Sequence, residues 1–190
     1  MVTEPEAGPV TGPGTAPPRP DPGDELGVIL SQRREGRQEI VNVDAATIQL
    51  VIFVIGDQQF ALPGAQVAEI LPLAPIFPVP GCPPAVEGVM DVRGNIRSVL
   101  RLGDLLGAAH HPLARHAAIL LGRVGDQESG LRVDRVVDVT PVILESLIPP
   151  PDQLPPPLAG LVTGVFQRPE GPVLVLDMER IFQAWQDGRL

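Results

Sequence analysis

The sequence predicts an all-β protein of small barrels, and three observations carry that prediction. Short β-branched and apolar runs recur with a turn signal about every eight to twelve residues. Two proline-rich stretches, Pro72 to Pro84 and Pro149 to Pro157, interrupt them without helical periodicity. Only the residues after Asp177 place apolar side chains at i, i+3, i+4 and i+7.

Residues 1–44 stand apart from that pattern. Met1 to Gly23 is rich in proline and glycine and has no apolar periodicity, the composition of a chain that cannot offset its ordering entropy by burial. Asp24 to Asp44 adds Leu26, Val28, Ile29 and Leu30 ahead of a charged run with Arg33, Arg34 and Arg37. The expectation is a flexible extension with a short candidate docking segment, followed by one folded domain over 45–187.

Thr47 to Ile55 is a β-branched run, Gly56-Asp57-Gln58 a turn and Gln59 to Leu62 the return strand of a hairpin. Ala65 to Leu71 reads as a helical turn or a bent strand. The prolines from Pro72 to Pro84 remove too many backbone donors for a central strand, so an extended loop is expected there. Val86 to Met90 and Asn95 to Leu102 are strands around the bend Arg93-Gly94. Gly103 to Gly107 is one helical turn closing on glycine, and Ala108 to Arg115 a loop. His116 to Gly122 and Gly130 to Val139 are strands about the turn Gly125-Asp126-Gln127. Val142 to Leu144 is a short strand or crossover. Ala159 to Phe166 and Pro172 to Leu176 form the last pair, and Asp177 caps a helix striped by Met178, Ile181, Phe182 and Trp185.

Composition narrows the function. The net charge is −9, and no basic stripe is present to neutralise phosphates, so nucleic-acid binding is not expected. Cys82 is the only cysteine, which excludes an intramolecular disulfide and a cysteine-based zinc site. The longest apolar run, Leu50 to Ile55, is too short to span a bilayer, and the N-terminus lacks the basic start and apolar core of a secretory signal. A soluble, cytoplasmic protein without direct membrane insertion is expected. His110 and His111, adjacent in a loop, diverge, and with His116 they make a poor metal set. Neither a cofactor nor a metal is expected, and no acid, base and nucleophile converge on a cleft element, so no catalytic residue is assigned.

What remains is recognition. Arg93, on a tight bend, is either a solvated turn residue or an anchor, arginine being enriched at interface hot spots. Gly94 provides a backbone conformation closed to other residues. Asp134, in the run Leu131 to Val139, has a structural role in a turn or cross-strand pair. A small-molecule sensing module is an alternative, motivated by the apolar density around Phe60, Phe77 and Phe166.

Taken in order, these segments resemble the chemotaxis coupling protein family, the CheW-like domains. The resemblance rests on Phe53 to Gly56, Phe60 to Pro63, Val67-Ala68-Glu69-Ile70, Val79-Pro80, and Gly88-Val89-Met90-Asp91-Val92-Arg93-Gly94. Val133-Asp134-Arg135-Val136 and the closing strand and helix, Val173 to Phe182, complete it. It implies two intertwined five-stranded SH3-like barrels sharing a core, with short helices and a C-terminal helix. It also implies a non-enzymatic adaptor between the cytoplasmic tip of a chemoreceptor and a CheA-type histidine kinase, cytoplasmic and recruited to membrane receptor arrays. By position, Val67, Glu69 and Arg93 correspond to receptor-binding residues and Gly88 to the kinase-binding region. Ser98 and Arg101 depart from the family pattern, which commonly has proline and aspartate there, and members also serve gliding, pilus and surface-sensing pathways.

Overall fold

β-branched and apolar residues fill nearly every strand of this chain, and burial on both faces of β1 sets its architecture. The computed structural model describes residues 46–108 and 116–188. The expected extension over residues 1–44, and with it the candidate docking segment, lies outside the described residues, as do His110 and His111.

The first hairpin is β1 (Thr47–Ile55) and β2 (Gln58–Pro63), followed by a 3-10 turn at Gly64–Gln66 and β3 (Val67–Pro72). Then come β4 (Val86–Val92), β5 (Asn95–Arg101) and the one-turn helix α1 (Leu102–Leu105). The order then repeats as β6 (Ala118–Val124), β7 (Gln127–Val133), β8 (Arg135–Ile143), a 3-10 turn at Leu144–Ser146, β9 (Val162–Arg168), β10 (Gly171–Leu176) and a helix, α3 (Met178–Gln186). The repeat differs in that its 3-10 turn follows the third strand instead of preceding it, and in a short helix, α2 (Pro156–Ala159), that starts at the end of the second proline-rich stretch.

The two halves are interleaved. One sheet has the order β8-β1-β2-β10-β9 and the other β3-β6-β7-β5-β4, so the first two strands of each half share a sheet with the last three of the other half. Each sheet combines antiparallel hairpins with one parallel pair, β10 beside β2 and β5 beside β7. Alternate residues of β1 serve two cores. Val51, Phe53 and Ile55 join the large cluster between the sheets, with Leu100, Leu120, Leu131 and Phe182. Leu50 and Ile52 join a smaller cluster with Val142, Val173 and Val175. On the second sheet Met90, Val99 and Ile119 form a third cluster.

The expected SH3-like barrels are not formed, because neither five-stranded sheet closes on itself. The prolines supply the reason. After β3 the chain returns to the outer edge of β4 through one isolated bridge, in which Phe77 and Val89 exchange N–H···O bonds of 2.8 and 2.9 Å. After β8, Ile148 bridges Val165 in the same way at 3.1 and 2.9 Å. Pro75, Pro78 and Pro149 flank these bridges, and a residue without an N–H cannot extend a ladder. The edges that closure would join therefore hold single bridges.

Other departures have local causes. The run expected as one strand, Gly130 to Val139, is two, broken at Asp134 where the chain passes from one sheet to the other. The Asp134 N–H donates to the Val54 carbonyl at 3.1 Å, and its Oδ2 accepts from the Gly56 N–H at 2.7 Å. The carboxylate thus holds the β1–β2 turn, the structural role expected of it. Asp134→Ala is expected to cost about 1–3 kcal/mol by stranding the Gly56 donor, and Asp134→Asn, which keeps an acceptor, clearly less; paired urea titrations check this order.

The C-terminal helix starts as expected, with Asp177 Oδ1 accepting from the Arg180 N–H at 3.0 Å. Met178, Ile181 and Phe182 are buried in the core between the sheets. A Cβ on Gly122 of β6 would lie 2.5 Å from the Met178 sulfur, so glycine there lets the helix sit directly on the strand.

Candidate docking surface on the second sheet

The hairpin β4–β5 has a two-residue loop, Arg93-Gly94, in which both residues have positive φ, +53° and +83°. Such a loop matches the right-handed twist of the flanking strands. Arg93 is the only described residue other than glycine in that region. Asp91 stabilises the bend by accepting the Gly94 N–H through Oδ1 at 2.6 Å.

Held this way, Arg93 reaches across the open side of its sheet. Its Nη2 donates to Glu69 Oε1 at 2.5 Å, linking the β4–β5 turn to β3, the opposite outer strand. The arginine side chain remains 78% exposed and the glutamate 30%. Two residues expected to act together, 24 positions apart in sequence, are thus in direct contact. Exposed pairs of this kind add about 0–1 kcal/mol to stability, so the pair orients the guanidinium more than it holds the fold.

Val67 and Gly88 occupy different settings. Val67 is half-buried at the start of β3, against the core between the sheets. Gly88 is buried in β4 with φ +154°, and a Cβ there would come within 2.3 Å of the Phe77 carbonyl oxygen. It presents no side chain of its own; it admits the Phe77 backbone to the edge of β4. Phe77 itself is 63% exposed and Ile96 of β5 65%. Phe77 entered the sequence reading only as part of an apolar cluster and Ile96 only as a strand residue, since neither an aromatic among prolines nor an isoleucine within a strand carries a mark of exposure.

The departures Ser98 and Arg101 turn inward. The Ser98 hydroxyl hydrogen-bonds that of Ser129, on the parallel neighbour β7, at 2.8 Å. Arg101 Nη1 donates to Asp104 Oδ2 at 3.2 Å across the first turn of α1. Further out, Glu128 accepts from Arg123 Nε at 2.7 Å and Arg97 Nε at 2.8 Å. The hydrogen bond from Arg123, with that from Arg97, holds its carboxyl below the ordinary carboxylate range.

A cleft of about 750 Å³ opens where β3, β6 and β8 approach, with Ile70, Leu73, His116, Ala118, Arg135 and Val136 on its walls. The residues that motivated a small-molecule site lie in three separate settings. Phe60 is in the core between the sheets, Phe166 packs against the smaller cluster of the first sheet, and Phe77 is on the surface.

Exposed charge on a rigid turn, apolar side chains beside it and a cleft between two sheets define an interaction module, whose chemistry is contact rather than turnover. The model of the CheW-like domain matches residues 49–186, and the chain belongs to that family. The chemotaxis protein CheW of Rhizobium meliloti is 34% identical over 105 residues, 55% of this chain and 67% of its own length. The protein PilI of Pseudomonas aeruginosa is 31% identical over 134 residues, covering 69% of this chain and 73% of its own. The crystal structure of the scaffolding protein TtCheW from Thermoanaerobacter tengcongensis superposes with a TM-score of 0.66 at 23% identity, over 73% of this chain and 94% of that one, a likeness of fold. As a member of this family the chain is a non-enzymatic adaptor. Among the described residues no helix is long and apolar enough to cross a membrane.

Proposed function

We propose that this chain couples a chemoreceptor-type signalling protein to a CheA-type histidine kinase, contributing binding energy and geometry in the cytoplasm at a receptor array. Arg93, paired with Glu69, faces the cytoplasmic tip of the receptor, and Val67 adds an apolar contact from the start of the same strand as Glu69. The observation that carries this reading is the exposed guanidinium on a left-handed turn, tied to β3 by Glu69. Such a group presents donors in a fixed orientation, so little rotamer entropy is lost when a receptor carboxylate or carbonyl meets it.

The kinase meets the neighbouring edge, where Gly88 acts by seating the segment that displays Phe77. Apolar side chains such as Phe77 and Ile96 supply affinity at such an edge, and the charges set register.

Arg93→Ala tests the receptor assignment. Its affinity for a purified receptor signalling tip is expected to fall by about 1–3 kcal/mol, with the melting temperature nearly unchanged because the Glu69 pair is solvent-exposed. Equal affinity of wild type and variant in a titration overturns the site.

A further inference from the structure

The motif that holds the candidate receptor contacts occurs twice. Val67-Ala68-Glu69-Ile70-Leu71-Pro72 of β3 is matched by Val136-Val137-Asp138-Val139-Thr140-Pro141 of β8. Geometry makes the match residue by residue. Glu69 lies opposite Leu121 on β6 and Val67 opposite Gly122, with the register slipping at Ala68. Asp138 lies opposite Ile52 on β1 and Val136 opposite Phe53, with the register slipping at Val137. The turns that follow those partner strands are the same tripeptide, Gly56-Asp57-Gln58 and Gly125-Asp126-Gln127. The bridged edges correspond too, Gly88-Val89 against Phe77 and Gly164-Val165 against Ile148.

The ion pair is repeated as well, with its exposure inverted. Asp138 Oδ2 lies 3.7 Å from Arg168 Nη2 at the β9–β10 turn, as Glu69 meets Arg93 at the β4–β5 turn. In the first pair the cation is displayed. In the second, Arg168 is only 20% exposed and also contacts Glu170 at 3.4 Å, leaving Asp138 44% and Glu170 59% exposed. Asp138 Oδ1 accepts its neighbour's N–H, that of Val139, at 2.8 Å, which fixes the carboxylate on the strand. Its strand neighbours Val137 and Val139, on the other face of β8, are 42% and 50% exposed, where β3 has Ala68 and Ile70. No strand among the described residues pairs with the outer edge of β8.

We infer that the outer edge of β8 is a second docking face, taking an extended, basic amphipathic strand of a protein partner whose apolar side chains cover Val137 and Val139 on one face and whose alternating lysines or arginines meet Asp138 and Glu170 on the other. The inference rests on the adaptor reading. An adaptor needs two faces that do not compete for one partner, and opposite charge on equivalent frames rejects the wrong segment by repulsion at either face. Apolar contact on the valines supplies affinity, and the carboxylates set polarity and register.

Two synthetic extended peptides, one with valines alternating with lysines and the other with valines alternating with glutamates, serve as probes of the isotopically labelled full chain. The lysine peptide is expected to bind with NMR shift changes centred on Val137 to Val139 and Glu170, and the glutamate peptide at least about tenfold more weakly. Asp138→Asn with Glu170→Gln is expected to weaken the lysine peptide by about tenfold, and Val139→Ser by a similar factor. Arg93→Ala should leave it unchanged. Equal binding of the two peptides, no binding of the lysine peptide, shift changes centred on Arg93, or full affinity of the double variant overturns the inference. Because these readouts use no receptor, they can fail while the Arg93 assignment stands, and the receptor titration can fail while they succeed.

Discussion

Gly88→Ala is expected to destabilise the domain by about 2–6 kcal/mol and to weaken kinase binding at the same time. Two costs combine. The backbone at φ +154° is one that residues with a Cβ rarely adopt, and the added carbon would lie 2.3 Å from the Phe77 carbonyl oxygen and 3.0 Å from Ile76 Cγ2. The first is strain, of order 1–3 kcal/mol. The second forces the bridging segment outward, losing the two Phe77–Val89 hydrogen bonds at about 0.5–1.5 kcal/mol each and loosening Ile76 from Met90 and Val99. A backbone contact cannot relax as a flexible side chain does. Gly164→Ala is the natural control, since its Cβ would sit 3.3 Å from the Ile148 carbonyl oxygen, and a loss under about 1 kcal/mol is expected. Chemical denaturation of both variants measures the difference. Similar losses at the two positions would contradict the explanation.

Phe53→Ala is expected to cost about 3–5 kcal/mol. Phe53 is fully buried at the centre of the core between the sheets and stacks on Phe60 with ring centroids 6.1 Å apart. Removing the ring opens a cavity bounded by both sheets at once, and such rigid surroundings collapse little into the space. The stacked pair adds about 0.5–1.5 kcal/mol beyond area. Because this core draws on strands of both interleaved halves, the loss should appear as one cooperative transition at lower denaturant, not as two. A separate early transition for one half would show that the sheets fold independently.

These predictions separate the residues that hold the frame from those that face outward. Gly88 and Phe53 act through packing, whereas Arg93 is expected to change affinity with little effect on stability. Ser98 and Arg101 fall on the framework side. Ser98 is paired with Ser129 between parallel strands, and Arg101 is matched by Asp104 within the domain. The departure from the family pattern at these positions is therefore met by partner side chains within the domain.

Much of this was legible in the chain. Turn chemistry marked the hairpins, apolar spacing marked the final helix, and the bend at Arg93-Gly94 was readable because so few residues accept positive φ at both loop positions. Asp134 was readable only in part. Its polar side chain within a β-branched run signalled a structural role, but the bond to Gly56, distant in sequence, and the resulting break between β7 and β8 depend on two sheets meeting at that point. The repeat also had a written signal. Val86-Glu87-Gly88-Val89 returns as Val162-Thr163-Gly164-Val165, and Gly-Asp-Gln recurs at both turns, yet each match is short and the proline-rich stretches between them differ in length.

By itself, then, the sequence determined an all-β fold of short strands, a family and a rigid turn carrying an arginine, because propensity, turn chemistry and periodicity are local properties. The tertiary structure alone decided that the sheets stay open, since closure depends on whether segments flanked by proline can extend a ladder at an edge formed by distant strands. It alone joined Arg93 to Glu69 and set Asp138 and Arg168 in the equivalent place with the charges reversed in exposure. Exposure is a property of what surrounds a side chain, and no pattern of neighbours along the chain contains it.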